Sequence, residues 1–182
     1  MKVLVACEYS GVVRDAFIKR GHDAMSCDIL PTDVEGPHYQ GDMFDIAGEG
    51  WDVIIAHPPC TAICVSGNRH YAGTRERLDG ARFVQRVWNL PVAKLCIENP
   101  VGVINSVTQG MPKPHYIQPW QFGHGETKKT GLWIRGLPKL EPTDIVEGRE
   151  NRVHRMPPSK DSWKLRSTTY QGIADAMAEQ WG

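Results

Sequence analysis

Short apolar runs alternate with amphipathic segments along the first half of the chain. Four apolar runs predict buried strands, at residues 2–7, 24–29, 51–56 and 94–97. Apolar residues at helical spacing predict helices over residues 12–20 and 75–90, which Gly21 and Pro91 end. A further strand at 130–134 and a C-terminal helix at 172–181 complete the pattern. Strands that alternate with helices predict an α/β fold, with a mostly parallel sheet and helices on both faces.

Length and charge narrow the class of protein. The 182 residues show no repeat and no linker, so we expect a single domain over residues 1–182. The 21 basic residues equal the 21 acidic residues in number, whereas a protein that surrounds duplex DNA usually carries a basic excess. Any contact with nucleic acid is therefore expected to be local. No apolar run approaches the roughly 20 residues that span a bilayer, so we expect no membrane association.

The cysteines and the first residues of the chain indicate the cellular compartment. The chain has five cysteines, an odd number, and its first residues lack the long apolar stretch of a signal peptide. Reduced thiols and a cytoplasmic location are therefore expected.

Three acidic or turn features suit a nucleotide-like ligand. The first predicted strand runs into the turn Glu8, Tyr9, Ser10 and Gly11 before a helix, and backbone N–H groups at a helix N-terminus can face a ligand. Asp28 ends the second strand, where an acid can hold a ribose hydroxyl; capping of a loop is the alternative. Asp42 could accept from an adenine amino group, although Gly-Asp is also a common turn.

The strongest chemical feature is the tetrapeptide His57-Pro58-Pro59-Cys60, directly after a predicted strand. Two prolines restrict the loop, so the Cys60 thiol is held with little conformational freedom and could act as a thiolate nucleophile. A buried structural cysteine is the alternative. The other four cysteines lack this setting, and we predict that they are core residues. Cys64 follows Cys60 without a second ligand pair, so no metal is expected.

Glu98 and Asn99 follow the next strand, which neighbours the Cys60 strand if the sheet has the usual order. A carboxyl group in a cleft can protonate a ring nitrogen. A thiol and a carboxyl on adjacent loops are what nucleophilic attack on a pyrimidine ring requires. A surface glutamate at the strand end is the alternative.

In this order the motifs resemble the catalytic core of cytosine-C5 DNA methyltransferases and of related small phage and prophage proteins. For the cofactor, residues 6–11 correspond to the family's glycine turn, and Asp28 and Asp42 correspond to its ribose- and adenine-binding acids. For catalysis, Pro58-Pro59-Cys60 corresponds to the nucleophile motif, Glu98-Asn99 to the Glu-Asn pair and Lys128 to the base-holding Arg motif. Residues 166–178 correspond to the family's terminal helix.

The resemblance implies a Rossmann-like fold, S-adenosylmethionine as cofactor and methyl transfer to C5 of cytosine in DNA through a Cys60 adduct. It implies catalytic roles for Cys60, Glu98, Asn99, Pro59 and Lys128. It implies cofactor contacts for Glu8, Tyr9, Ser10, Gly11, Asp28, Ile29, Asp42, Met43, His57, Pro58 and Tyr170.

Departures from the family keep other functions open. The first turn has lost glycines, and Pro100 follows Glu98-Asn99 where the family has Val. Only 36 residues lie between Trp133 and Tyr170, which leaves little room for a target-recognition domain. One alternative is the same chemistry on a free pyrimidine nucleotide or a single strand. Another is a non-catalytic module that binds cofactor or DNA, or that works with a partner subunit.

A basic segment offers a substitute for that domain. Residues 149–166 hold six Arg or Lys against two acids, together with Trp163. Such a segment could contact phosphates and stack a base, or it could be a solvated linker.

Overall fold

The computed structural model describes residues 1–157 and 162–182. Its strands form one seven-stranded sheet in the order β3-β2-β1-β4-β5-β7-β6. The strands are β1 (Lys2–Ala6), β2 (Asp23–Asp28), β3 (His38–Gln40), β4 (Val53–Ala56), β5 (Lys94–Pro100), β6 (His115–Ile117) and β7 (Thr130–Arg135). Strands β1 to β5 pair in parallel, whereas β7 runs antiparallel to both β5 and β6.

Eight α-helices connect or follow the strands in the described ranges. They are α1 (Val12–Lys19), α2 (Met43–Ile46), α3 (Asn68–Tyr71), α4 (Arg75–Trp88), α5 (Ile104–Val107), α6 (Arg152–Arg155), α7 (Ser162–Ser167) and α8 (Gln171–Trp181). None of the helices in this part of the chain is both long and apolar enough to cross a membrane.

Side chains along β1 point alternately to the two faces of the sheet, and helices cover both faces. Val3 and Val5 point to one face, where they pack in a cluster with Phe17 of α1 and with residues of α8. Leu4 points to the other face and packs in a second cluster that contains Val84 of α4. A parallel sheet buried on both faces needs apolar residues at consecutive positions, which is why its strands have continuous apolar runs.

The register of the sheet gathers the candidate residues at one edge. Ala56 of β4 pairs with Ala6 of β1 on one side and with Ile97 of β5 on the other. The residue after each of these positions therefore lies at the carboxyl edge of the parallel strands, where ligands bind in open α/β sheets. Together with the last residue of β2, these are Cys7, Asp28, His57 and Glu98.

The predicted fold class is confirmed, and every predicted strand and helix is present with ends shifted by one or two residues, apart from β5. That strand continues to Pro100 because it also pairs with β7, so Glu98 and Asn99 lie within it. Strands β3 and β6 were not predicted, since three residues are too few to show a period.

Candidate active site

Two adjoining cavities lie at the carboxyl edge of the parallel strands. The larger has a volume of about 1270 Å³ and the smaller about 120 Å³. Residues shared by both walls include Tyr9, His57, Pro59, Cys60, Lys128 and Arg166. Because the two cavities meet at these residues, a ligand in one lies next to a ligand in the other.

Six of the predicted cofactor residues line the larger cavity: Tyr9, Asp28, Ile29, Asp42, Met43 and His57. The Asp28 carboxylate accepts a hydrogen bond from the Leu30 N–H at 2.9 Å. Burial raises the Asp28 pKa, against the opposing effect of this hydrogen bond. Ile29 is 74% exposed and offers an apolar side chain to the cavity. Asp42 caps α2 by accepting from the Phe44 N–H at 3.0 Å. The larger cavity thus combines acids with an apolar surface.

The turn after β1 differs from expectation. Glu8 is only 4% exposed, and its carboxylate accepts hydrogen bonds from the N–H groups of Val13 at 2.7 Å and Arg14 at 3.2 Å. A side chain of the protein therefore satisfies the N-terminus of α1, and the expectation that these N–H groups face a ligand is wrong. Ser10 donates to the same carboxylate at 3.3 Å. Glu8 and Ser10 line the smaller cavity, whereas Gly11 lines neither.

Cys7 and Tyr9 bring this turn to the cavities. Cys7 has a φ of 58°, the left-handed region that non-glycine residues rarely adopt. It is partly exposed, packs against the second core cluster and lines both cavities, so its prediction as a core residue holds only in part. The Tyr9 hydroxyl lies 2.8 Å from Ser167 Oγ, and its ring lies 5.5 Å from the ring of Trp163. The turn is thereby joined to α7.

The Cys60 loop is held by backbone and side-chain hydrogen bonds. The Cys60 carbonyl accepts from the N–H of Ile63 at 3.0 Å and of Cys64 at 2.8 Å. Asn99, which is 1% exposed, donates its Nδ2–H to the Pro58 carbonyl at 2.8 Å. Asn99 therefore ties the nucleophile loop to β5.

His57 and Glu98 form a buried pair beside Cys60. Their Nδ1 and Oε2 atoms lie 3.0 Å apart, and their side chains are 11% and 14% exposed. Burial lowers the His57 pKa, but the Glu98 carboxylate outweighs it, so the pKa is raised. Burial raises the Glu98 pKa. The hydrogen bond from His57 and the positive charges of His57 and Lys128 have the opposite and larger effect, so the Glu98 pKa is lowered. An imidazolium facing a carboxylate is the favoured state.

Cys60 and Cys64 interact one helical turn apart. The neighbouring Cys60 thiol, the Ser66 hydroxyl and the Gly67 N–H stabilise the Cys64 thiolate and lower its pKa. The same interaction, together with burial, raises the Cys60 pKa. Cys64 is buried as predicted, yet it also lines the larger cavity. Within the described ranges, no group of three or more His, Cys, Asp or Glu is arranged to hold a metal ion.

Lys128 and Tyr170 have different positions. Lys128 lies just before β7 and lines both cavities, because β7 is antiparallel and begins at their edge of the sheet. Tyr170 lines neither cavity; its hydroxyl donates to Glu126 at 2.7 Å. The cavities thus contain every catalytic candidate, and all the cofactor candidates except Gly11 and Tyr170.

Sequence reasoning missed several cavity residues. They are His70, Tyr71, Phe83 and Val101. Lys129 adjoins Lys128 in the predicted base-holding motif, residues 166–169 belong to the segment that the resemblance assigned to the terminal helix, and Trp163 belongs to the basic segment. Part of that segment, residues 158–161, lies outside the described residues. The resemblance and the basic and aromatic composition of residues 149–166 were the sequence signals for Lys129, Trp163 and residues 166–169, and no signal indicated the other four.

The comparisons with known proteins bear on the fold. No protein-family model and no curated protein matches the chain. Among solved structures it is similar to a candidate DNA modification methyltransferase encoded within a prophage of E. coli, at 17% identity and a TM-score of 0.52, over 81% of this chain and 52% of the other. It is also similar to the methyltransferase EhMeth of Entamoeba histolytica, at 12% identity and a TM-score of 0.52, over 89% and 62%.

The matched region thus spans between half and two thirds of each of these proteins. At these identities the likeness concerns the fold. The chain therefore has the Rossmann-like α/β fold of these two methyltransferases.

Proposed function

We propose that the protein is an S-adenosylmethionine-dependent methyltransferase that methylates C5 of cytosine in DNA. The observation that carries the proposal is that Cys60 and Glu98 line one small cavity, which adjoins the larger cavity that Asp28 and Asp42 line. A nucleophile, an acid and a nucleoside-sized space therefore meet at one edge of the sheet.

The residues of the larger cavity fit the proposed cofactor. Asp28 would accept from the ribose hydroxyls, Ile29 and Met43 would pack on the adenine ring, and Asp42 would accept from its amino group. The volume of about 1270 Å³ exceeds the roughly 300–1,000 Å³ of an ordinary small-molecule site, which leaves room for a second ligand. S-adenosylmethionine supplies an electrophilic methyl group when bound.

The protein's own residues carry the rest of the chemistry. The Cys60 sulfur adds to C6 of the cytosine after its proton has passed to the neighbouring Cys64 thiolate, and the Glu98 carboxyl group gives a proton to N3, which makes C5 nucleophilic. Asn99 and Pro59 shape the pocket, and Lys128 helps to hold the base. After C5 has been methylated, loss of the C5 proton to solvent restores the ring double bond and releases the Cys60 thiolate.

DNA is the substrate that we favour. The base would have to leave the duplex to reach Cys60. Lys129 and Arg166 lie at the cavities and could contact phosphates, which suits a neutral chain with a local basic surface. A free pyrimidine nucleotide or a single strand is the alternative substrate, because neither needs a target-recognition domain. We expect a single-domain enzyme over residues 1–182. Its expected location is the cytoplasm.

Calorimetric titration with S-adenosylmethionine tests the cofactor site. We expect micromolar binding to the wild type and its loss in Asp28→Ala. Asp23→Ala is the matched control, because Asp23 lies at the opposite end of the same strand. Absence of binding to the wild type would contradict the proposal.

A second assay tests the chemistry. Transfer of a labelled methyl group to DNA, single strands or dCMP would be measured with wild type and Cys60→Ser. We expect the variant to lose both transfer and the covalent adduct with 5-fluorocytosine. Full activity without the thiol would exclude C5 chemistry.

One observation favours a second candidate, a non-catalytic module that binds cofactor or DNA, or serves a partner subunit. Glu8 occupies the α1 N-terminus. Binding without transfer on any acceptor would support this candidate.

A further inference from the structure

The pairing of β4 with β5 places an imidazole against the proposed acid. Because Ala56 pairs with Ile97, the next residues, His57 and Glu98, leave the pairing side by side. Their hydrogen bond joins Nδ1 to Oε2 at 3.0 Å. The other ring nitrogen, Nε2, is buried and has no hydrogen-bond partner among the described residues. The imidazole therefore has one polar contact within the described part of the chain, and that contact is Glu98.

The charges that face His57 come from four directions. Glu98 contacts it from β5, and Glu8 acts on it from the turn after β1. The positive charge of Lys128, before β7, opposes protonation of His57. Burial raises the pKa of Asp28 at the end of β2, and the positive charge of His57 opposes that effect. With two carboxylates favouring the imidazolium and one ammonium opposing it, the pair retains a proton in a buried site.

We propose that His57 is a positioning residue that shares one proton with Glu98 and supplies it, through the Glu98 carboxyl group, to N3 of the target pyrimidine. The inference rests on the proposed function and deepens it. It explains how a carboxyl group that faces a cation can still act as a proton donor. A carboxylate in an ion pair holds no proton of its own, so the proton must come from its partner.

The proton and the electrons balance at each step. The Cys60 thiolate forms a bond to C6, the C5–C6 π electrons shift to C4–C5, and the C4–N3 π electrons take a proton from Glu98. Glu98 obtains that proton from His57 Nδ1, which leaves a neutral imidazole. When C5 is methylated, N3 loses its proton to Glu98, and the imidazolium forms again.

NMR titration of the imidazole tests the pair without any substrate. His57 signals in ¹⁵N-histidine-labelled protein would be assigned with His57→Gln. We expect His57 to titrate above its ordinary value in wild type and at a lower pH in Glu98→Gln. The control is Glu179→Gln, which changes an exposed carboxylate paired with Arg20. A His57 titration that Glu98→Gln leaves unchanged would overturn the proposal, whether or not the protein is a methyltransferase.

Exchange of the C5 proton tests delivery to the base. Release of tritium from DNA or dCMP labelled at C5 reports addition at C6 and protonation at N3. His57→Asn keeps an N–H near the position of Nδ1 but carries no titratable proton. We expect its kcat to fall by ~10²- to 10⁴-fold at neutral pH, the usual contribution of proton transfer, with KM nearly unchanged. The loss should shrink at acidic pH, where Glu98 takes its own proton.

His57→Gln serves as the geometric comparison, because its amide lies nearer the position of Nε2. We expect it to lose activity at neutral pH and to regain less at acidic pH than His57→Asn. Equal pH profiles for wild type and His57→Asn would overturn the proposal. If wild type releases no tritium from any substrate and binds no S-adenosylmethionine, the proposed function is wrong, and the proposed supply of a proton to N3 is wrong with it. The NMR titration is independent of this result and still decides whether His57 and Glu98 share a proton.

Discussion

The Tyr9 hydroxyl lies 2.8 Å from Ser167 Oγ, which joins the turn after β1 to α7 across more than 150 residues of sequence. The Tyr9 ring also contacts Trp163 at a centroid distance of 5.5 Å. Both partners belong to α7, and both line the larger cavity. The wall that α7 forms therefore depends on Tyr9.

Substitution of Tyr9 should loosen α7. We expect Tyr9→Phe to keep the ring contact and to weaken docking by about 1 kcal/mol, the usual value of one hydrogen bond. Tyr9→Ala should lose both contacts and expose the α7 amides. Hydrogen exchange of peptides from residues 162–170 measures this, with Tyr116→Phe as the control on an exposed tyrosine. Unchanged exchange in Tyr9→Ala would contradict the prediction.

Arg14 is fully buried and organises the segment after β2. Its guanidinium donates to Ser26 Oγ at 3.2 Å and to the Glu35 carbonyl at 3.1 Å. Arg14→Met leaves the Glu35 carbonyl without this donor and removes the ion pair with Asp15, so we expect the free energy of unfolding to fall by about 3 kcal/mol and cofactor binding to weaken. Arg20→Met, which removes an exposed ion pair, should change stability by about 1 kcal/mol or less. Urea unfolding of both variants measures the difference, and equal stabilities would refute it.

Gly67 permits the close approach that fixes the Cys60 loop. A Cβ at this position would lie 2.2 Å from the Thr61 carbonyl oxygen, which is backbone and cannot rotate away. We expect Gly67→Ala to destabilise the protein by roughly 2 kcal/mol and to impair Cys60 adduct formation. A Cβ at Gly48 meets no atom within 4 Å, so Gly48→Ala is the matched control. Thermal unfolding compares the two, and similar midpoints would disprove the clash.

The strands and the edge where they meet could be predicted from sequence, because apolar runs and strand-end motifs are local patterns. The pairing of His57 with Glu98 follows once β4 and β5 are neighbours, yet the tetrapeptide alone gave no reason to expect it. The capping role of Glu8 depends on how far one side chain reaches. The cavity wall from α7 depends on a contact between distant segments. No sequence period encodes such relationships.

The cysteines should differ in reactivity. Burial raises the pKa of Cys27 to about 12 and that of Cys96 well above its ordinary value, so both should resist alkylation until unfolding. The Cys60–Cys64 pair shares a stabilised thiolate at the larger cavity and should react with iodoacetamide at neutral pH. Peptide mass spectrometry identifies the modified residues. Ser66→Ala removes a hydroxyl that stabilises Cys64 and should slow labelling of the pair. Faster labelling of Cys27 than of the pair would refute the prediction.

The stability of the protein should depend on pH through His57 and Glu98. A raised His57 pKa contributes stability that is fully present below about 6.5, its unfolded value, and is lost as pH rises through the folded pKa. A lowered Glu98 pKa contributes stability that is present above about 4.3 and is lost as pH falls through its folded pKa. The advantage of wild type over Glu98→Gln should therefore be greatest between these values.

Urea midpoints at a series of pH values measure this difference. We expect the gap between wild type and Glu98→Gln to narrow as pH rises from about 6.5 through the folded pKa of His57, because over this range only the folded imidazole still holds its proton. Glu179→Gln should show no such narrowing, since its partner Arg20 stays charged throughout. A gap that is constant from pH 5 to pH 9 would mean that Glu98 stabilises the fold by packing, without an ion pair to His57.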